Sequence, residues 1–146
     1  MSAHPNIIES ASGIREILLQ IKSIAVLGIK TEAQDHQAAY YVPAYMQAAG
    51  YDIIPVPVYF PEVTEILGRT VYRKLTEIPE PVDLVNVFRR PADVPAHVAD
   101  ILAKKPRAVW LQLGIRNDAA ALTLAEAGIL VVQNRCILVE HRELRI

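Results

Sequence analysis

Residues 23–28 read SIAVLG, an unbroken apolar run closed by glycine. A strand with one wet face alternates apolar and polar residues, whereas a continuous run marks a strand covered on both faces, as in a parallel sheet. The pattern recurs at residues 82–88 (VDLVNVF), 107–113 (RAVWLQL, ended by Gly114) and 129–132 (ILVV). Residues 51–58 (YDIIPVPV) form a further candidate, and Pro55 and Pro57, which lack ladder donors, place its end near themselves.

Helical signals fall between these runs. Ile14, Ile17, Leu18 and Ile21 are spaced i, i+3, i+4, i+7, with Ser10 or Ser12 available as the cap. Residues 38–49 read as a helix ending at Gly50, and Pro43 predicts either a late start or a kink. A loop with Pro61 and Gly68 follows, then a short strand at 70–72 and one helical turn at 75–78. Asp93 is placed to cap a helix running to about residue 104, with Pro95 in its first turn. Asn117 caps another that ends at Gly128, and residues 136–145 read as a short surface helix. Strand and helix in alternation predict an α/β fold: one domain over residues 1–146, a three-layer sandwich with a mostly parallel sheet.

Composition agrees and narrows the function. The 146 residues are 52% hydrophobic and 21% charged, enough to bury a core without disulfides or metal. A net charge of -1 gives no overall electrostatic footprint for DNA or RNA. The single Cys136 forms no internal disulfide, so a reducing, cytoplasmic setting is expected. The opening residues MSAHPNIIES lack a secretory signal, and no apolar run approaches the ~20 residues that span a bilayer.

In open α/β sheets ligands bind at the carboxyl ends of the strands, where strand order reverses. The segments after the predicted strands hold Gly28, Ile29 and Lys30; Pro57, Val58 and Tyr59; Phe88, Arg89 and Arg90; Gly114, Ile115 and Arg116; and Asn134, Arg135 and Cys136. Lys30, Arg89, Arg90, Arg116 and Arg135 together favour an anionic ligand over mere solvation of loops, with backbone N–H groups as further donors. Gly28 admits a tight turn and close approach to a phosphate, and Tyr40 lies close behind that loop. The three-glycine dinucleotide fingerprint is absent, and no acidic residue ends the second strand, so NAD is disfavoured.

No P-loop, CxxC, His pair at metal spacing or nucleophile elbow is present. Asp35–His36 and Glu140–His141 are sequence neighbours, which on a helix point about 100° apart and so form no dyad. His4 reads as part of a frayed terminus and His97 as a solvated helix residue. Tyr45 and Tyr51 read as packing residues with wet hydroxyls, and Cys136 as a small packed residue whose thiol Arg135 could activate. No catalytic or metal site is assigned.

Several motifs in order carry a resemblance: IAVLGI, HQAAYYVPAYMQAAGYDIIPVPV, EILGRTVYRKLTEIPEPVDLVNVFRR, AVWLQLGIRN and AGILVVQNRCILVEH. Over about residues 14–144 the chain resembles the small bacterial and archaeal CoA-binding domain proteins, themselves similar to the CoA-binding domain of the succinyl-CoA synthetase α chain. The resemblance implies a Rossmann-like fold and coenzyme A as ligand, its diphosphate over the loop after the first strand. It assigns Gly28, Ile29 and Lys30 to the phosphate loop, Pro57 to the turn after the second strand, and Phe88, Arg89 and Arg90 to the nucleotide cleft. Gln112, Leu113, Gly114 and Ile115 match a further segment, as do Asn134, Arg135 and Cys136. Lys30 stands where many members have Ser, Val56 where Asn usually precedes the proline, and Asn134 where Asp is common. The synthetase's phosphohistidine domain has no counterpart here. The expected function is therefore binding of coenzyme A or an acyl-CoA without catalysis, with a small nucleotide rather than nucleic acid or membrane as partner. Two rivals stand beside it. An acyl-CoA-processing enzyme, or a subunit or remnant of one, predicts turnover and a buried titratable group at the cleft; a ligand-free interaction or regulatory module predicts a shallow or plugged cleft and a large apolar patch.

Overall fold

A computed structural model describes residues 4–145. Its centre is a five-stranded parallel sheet made of β1 (Ser23–Leu27), β2 (Asp52–Val56), β5 (Leu84–Val87), β6 (Ala108–Leu111) and β7 (Leu130–Val132), in the order β2-β1-β5-β6-β7. Between β2 and β5 a separate antiparallel hairpin joins β3 (Glu65–Ile66) to β4 (Arg69–Thr70). The helices are α1 (Ala11–Gln20), α2 (Ala38–Ala48), α3 (Val98–Lys104), α4 (Asp118–Glu126) and α5 (Ile137–Leu144).

Both sheet faces are covered, which is why the strands read as continuous apolar runs. On one face Ile24, Val26, Ile53, Leu84, Ala108 and Trp110 pack beneath side chains of α1, α2 and α5. On the other, Ala25, Leu27, Ile54, Val56, Val85 and Val109 pack against Leu75, Ile101 of α3 and Leu124 of α4. Trp110 is fully buried, and its indole N–H donates to the Arg135 carbonyl at 2.8 Å, binding β6 to the segment after β7. The chain is thus the three-layer α/β sandwich that the sequence predicts.

Both expected caps are present: Ser10 accepts from Gly13 N–H before α1, and Asn117 accepts from Ala120 N–H before α4. β2 ends at Val56, between Pro55 and Pro57 as expected, while Pro43 corrects the sequence reading. Pro43 lies inside α2 rather than at its start. The Ala39 carbonyl that it cannot bond accepts the Lys30 N–H instead, at 3.1 Å, so the missing helix bond fastens α2 to the loop after β1. Pro55 lies within β2, paired with Val26. Its carbonyl faces outward to the Tyr72 N–H, and a strand residue's N and O share one side, so its nitrogen also faces away from β1 and no ladder bond is lost.

Asp93 caps no helix. Residues Pro91–His97 form a 3₁₀ segment that leads into α3. Pro95 removes the donor that an α-helix would aim at the Pro91 carbonyl, and the Asn117 side-chain amide donates to that oxygen from the start of α4. The β3–β4 hairpin was not legible as a pair. Its two-residue turn places Leu67 and Gly68 at φ 54° and 74°, and leucine at the first position hides the usual Asn-Gly signal. The N-terminal segment is not frayed: Ile7 bridges Val131 in parallel and His4 Nδ1 accepts the Asn6 N–H. Nor is α5 a mere surface helix, since Ile137 and His141 are buried. Among the described residues no helix is long and apolar enough to cross a membrane.

Candidate functional site

Strand order reverses between β1 and β5, because the chain passes from β1 to β2 on one side and later to β5 on the other. The loops leaving these strands diverge there and open a crevice at the carboxyl edge. Gly28 sits where they part, with φ 91°. A Cβ on it would lie 2.3 Å from the Phe88 carbonyl oxygen and 3.2 Å from Arg89 Cδ. The glycine is therefore required by the β5 backbone crossing beside it. Its N–H continues the ladder by donating to Val56 O; the Ile29 N–H has no partner among the described residues, and Ile29 itself is 1% exposed. Of the phosphate loop that the resemblance implies, Gly28 has its N–H engaged in the sheet ladder.

Two cations approach the same crevice. Lys30 Nζ lies 5.8 Å from the centre of the Phe60 ring, and the Arg89 guanidinium lies 5.6 Å from that of Tyr59. Both rings belong to the loop after β2, in which Phe60 adopts φ 63°. Arg73 fixes that loop by donating to the carbonyls of Tyr59, Phe60, Pro61 and Val63 at 2.6–3.2 Å. Aromatic faces thus hold the two cations at the crevice. The Arg89 contact lowers the Tyr59 hydroxyl below its ordinary pKa.

Arg89 and Arg90 differ sharply although adjacent. The Arg89 side chain is 15% exposed, while that of Arg90 is 81% exposed and ion-paired with Asp93 at 2.9 Å. Arg89 Nε donates to His97 Nε2 at 3.2 Å, and one of its terminal nitrogens lies 3.7 Å from Asp93. His97 is half-buried and, with Leu27, Pro57, Val58, Arg73 and Leu75, lines a cleft of about 220 Å³. Burial first, and then the Arg89 charge, lower its pKa. The sequence reading took His97 for a solvated helix residue; the 3₁₀ path of residues 91–97 turns it inward. Arg73 and His97 are the cleft residues that the sequence did not single out: Arg73 follows only a two-residue hairpin strand, and His97 sits in a segment read as helix.

The other sequence-assigned residues are held by contacts of their own. Tyr40, on α2, packs against the core, and its hydroxyl is 3.5 Å from Glu32. Burial, then Glu32, raise its pKa. Gln112 is buried; it accepts from Asn86 and from the Ile137 N–H and so joins β5, β6 and the start of α5. Gly114 and Ile115 are tied to Asn134, whose Oδ1 accepts the Gly114 N–H and whose N–H donates to Ile115 O. Arg135 turns toward the N-terminal segment, donating to Glu9 O and pairing with Glu140 at 3.5 Å. It helps line a second cleft of about 190 Å³ with Arg116, Gln133 and Asn134. Cys136 is half-buried at the start of α5. Leu113, on the rim between these regions, is 65% exposed. A carboxyl edge with basic groups at the β1/β5 end, an apolar rim and a polar β6/β7 end suits an elongated anionic ligand. Among the described residues no cluster of three or more His, Cys, Asp or Glu is placed to hold a metal ion.

Comparison with known proteins places this architecture. The family model described as CoA binding domain matches residues 22–142. The protein YneT of Bacillus subtilis (strain 168) is 38% identical over 132 residues, 90% of this chain and 94% of its own length. A Thermus thermophilus protein of known structure superposes with a TM-score of 0.85 at 39% identity, covering 93% of this chain and 99% of that one. A Pyrococcus horikoshii OT3 protein does so with a TM-score of 0.84 at 31% identity, covering 100% and 99%. The dinucleotide-forming acetyl-coenzyme A synthetase 1 of Ca. Korarchaeum cryptofilum is similar in fold alone, with a TM-score of 0.64 at 17% identity over 80% of this chain and 26% of that one.

Proposed function

The chain belongs to the CoA binding domain family, and from that premise we propose that it binds coenzyme A, free or acylated, at the carboxyl edge of its sheet without catalysing a reaction on it. The observation that carries the reading is that Ile29, Lys30 and Arg89 stand on the loops where β1 and β5 diverge, with both cations over aromatic rings of the loop after β2. A diphosphate needs cations and backbone donors together, and this crevice offers both. Ile29 N–H and the two basic side chains would hold the phosphates. Tyr59, which is 58% exposed, offers a flat face to the base, and exposed Val58 and Leu113 offer apolar surface to the pantetheine arm. The β6/β7 end, with Gly114, Ile115, Asn134 and Arg135, would meet the far part of an extended ligand. Phe88, Pro57, Arg90, Gln112 and Tyr40 would shape the site rather than carry its charge.

The absence of an assigned reaction rests on chemistry. Among the titratable groups that line the cleft, His97 is bonded to a guanidinium rather than to a nucleophile, and Cys136 lies beyond β7 at the other end. Calorimetric titration of nucleotide-stripped protein with coenzyme A, with NAD and ATP as controls, tests the proposal. Selective binding of coenzyme A is expected, and Lys30→Ala and Arg89→Ala should each weaken it by about tenfold or more, the worth of one charge-assisted contact. Wild-type affinity in both variants, or no binding by the parent protein, overturns it.

A further inference from the structure

Arginine can only donate hydrogen bonds, because its guanidinium has no acceptor. The 3.2 Å contact from Arg89 Nε therefore requires a lone pair on His97 Nε2, which fixes the imidazole as neutral with its proton on Nδ1. His97 is half-buried, the Arg89 side chain is 15% exposed, and both lie at the mouth of the crevice, so the pair is held rather than casually touching.

We propose that His97 is a positioning residue: its unprotonated Nε2 holds Arg89 with the terminal guanidinium nitrogens available to an anion, and protonation of His97 releases Arg89 and weakens anion binding. The proposal deepens the coenzyme A reading, yet the coupling itself can be read without any ligand. Protonation would turn Nε2 into a donor and set two cations at hydrogen-bond distance, which neither tolerates. The surroundings decide where Arg89 goes. Asp93 stands 3.7 Å from its terminal nitrogen, and the Tyr59 ring covers its face, so both offer an alternative seat away from His97. Asp93 and Asp100 favour the charged imidazole, while burial and Arg89 oppose it more strongly. Arg73 and Lys74, which line the same cleft, add further positive charge against a second cation there.

The experiment follows the His97 ring nitrogens by NMR in the ligand-free wild type and in Arg89→Met. In wild type the Nδ1–H tautomer and a midpoint below that of an ordinary histidine are expected; in Arg89→Met the midpoint should rise and the tautomers mix. Identical midpoint and tautomer in the two proteins overturn the proposal. Binding is then measured with coenzyme A and with inorganic pyrophosphate in wild type, His97→Gln and His97→Leu. Glutamine keeps an acceptor that does not titrate. His97→Gln should match wild type near neutral pH and escape the additional loss of about fivefold that wild type suffers in acid, whereas His97→Leu should be weaker by about that factor throughout. Parallel pH profiles for wild type and His97→Gln overturn the proposal. Coupling seen by NMR and with pyrophosphate, but no affinity for coenzyme A in any protein, overturns the coenzyme A reading and leaves the role of His97 standing.

Discussion

At the carboxyl edge His97 faces Arg89; at the amino edge His141 faces Tyr45 and Tyr51. The amino-edge groove is the larger, about 560 Å³, lined by Leu18, Ile21, Lys22, Ala48, Tyr45, Tyr51 and His141. His141 is 7% exposed and shares a 3.0 Å hydrogen bond with the Tyr45 hydroxyl through Nδ1. Both tyrosine rings meet it edge-on with centroids at 5.6 Å, and the Tyr51 hydroxyl donates to Leu18 O at 2.7 Å. These hydroxyls are engaged within the protein, not wet as the sequence suggested. Desolvation alone lowers the pKa of His141, whereas a neighbouring cation adds to desolvation at His97. Burial, then Tyr45, raise that of Tyr51. The larger groove is thus a joint between α1, α2 and α5 whose polar groups mostly satisfy one another. The smaller cleft keeps its cations on aromatic faces and carbonyls, where an anion can compete for them. Cavity size alone favours the amino edge, whereas the proposed site lies at the carboxyl edge.

The comparison can be broken most forcefully at Gly28. Gly28→Val places a Cβ against the Phe88 carbonyl at a φ that valine resists, so a loss of about 3 kcal/mol or more is expected in thermal or denaturant unfolding. A stable Gly28→Val protein would show that the β1/β5 crossing is looser than described. Next comes Tyr45→Phe, which removes one partly buried hydrogen bond and should cost about 1 kcal/mol while leaving affinity for coenzyme A unchanged. Altered affinity in that variant would mean that the two edges communicate.

The smallest effect is a pH slope. His97 and His141 both have pKa values lowered in the folded state, so the unfolded chain binds more protons as acid is added. Their contribution to stability is complete above the unfolded value of about 6.5 and is lost as pH falls toward the folded values. Denaturant midpoints measured at a series of pH values should decline over that window, and His141→Gln should flatten the decline in part. An unchanged slope would show that His141 contributes nothing to it.

Much of this was legible in the sequence because it depends on local pattern. The apolar runs at β1, β5, β6 and β7 specified strands covered on both faces, and Ser10 and Asn117 marked helix starts that hydrogen-bond as expected. The crevice loops were found because a parallel sheet delivers every strand's carboxyl end to one edge. Pro55 and Pro57 marked the end of β2 as read, whereas Pro43 and Pro95 misled because a missing N–H is harmless once a distant donor takes the orphaned carbonyl; neither the Lys30–Ala39 bond nor the Asn117–Pro91 bond is written in a local window.

The sequence by itself determined the layers, the strand polarity and the set of cations at one edge, since periodicity, glycine and proline act within a few residues of themselves. Only the tertiary structure decided which cations converge. It half-buried Arg89 and left Arg90 in solvent, turned Arg135 to another cleft, and brought in Arg73 and His97, which no local pattern had marked. Those outcomes depend on contacts between segments far apart in the chain, and the free energy of such a contact is set by burial and hydrogen-bond geometry that exist only once the sheet is assembled.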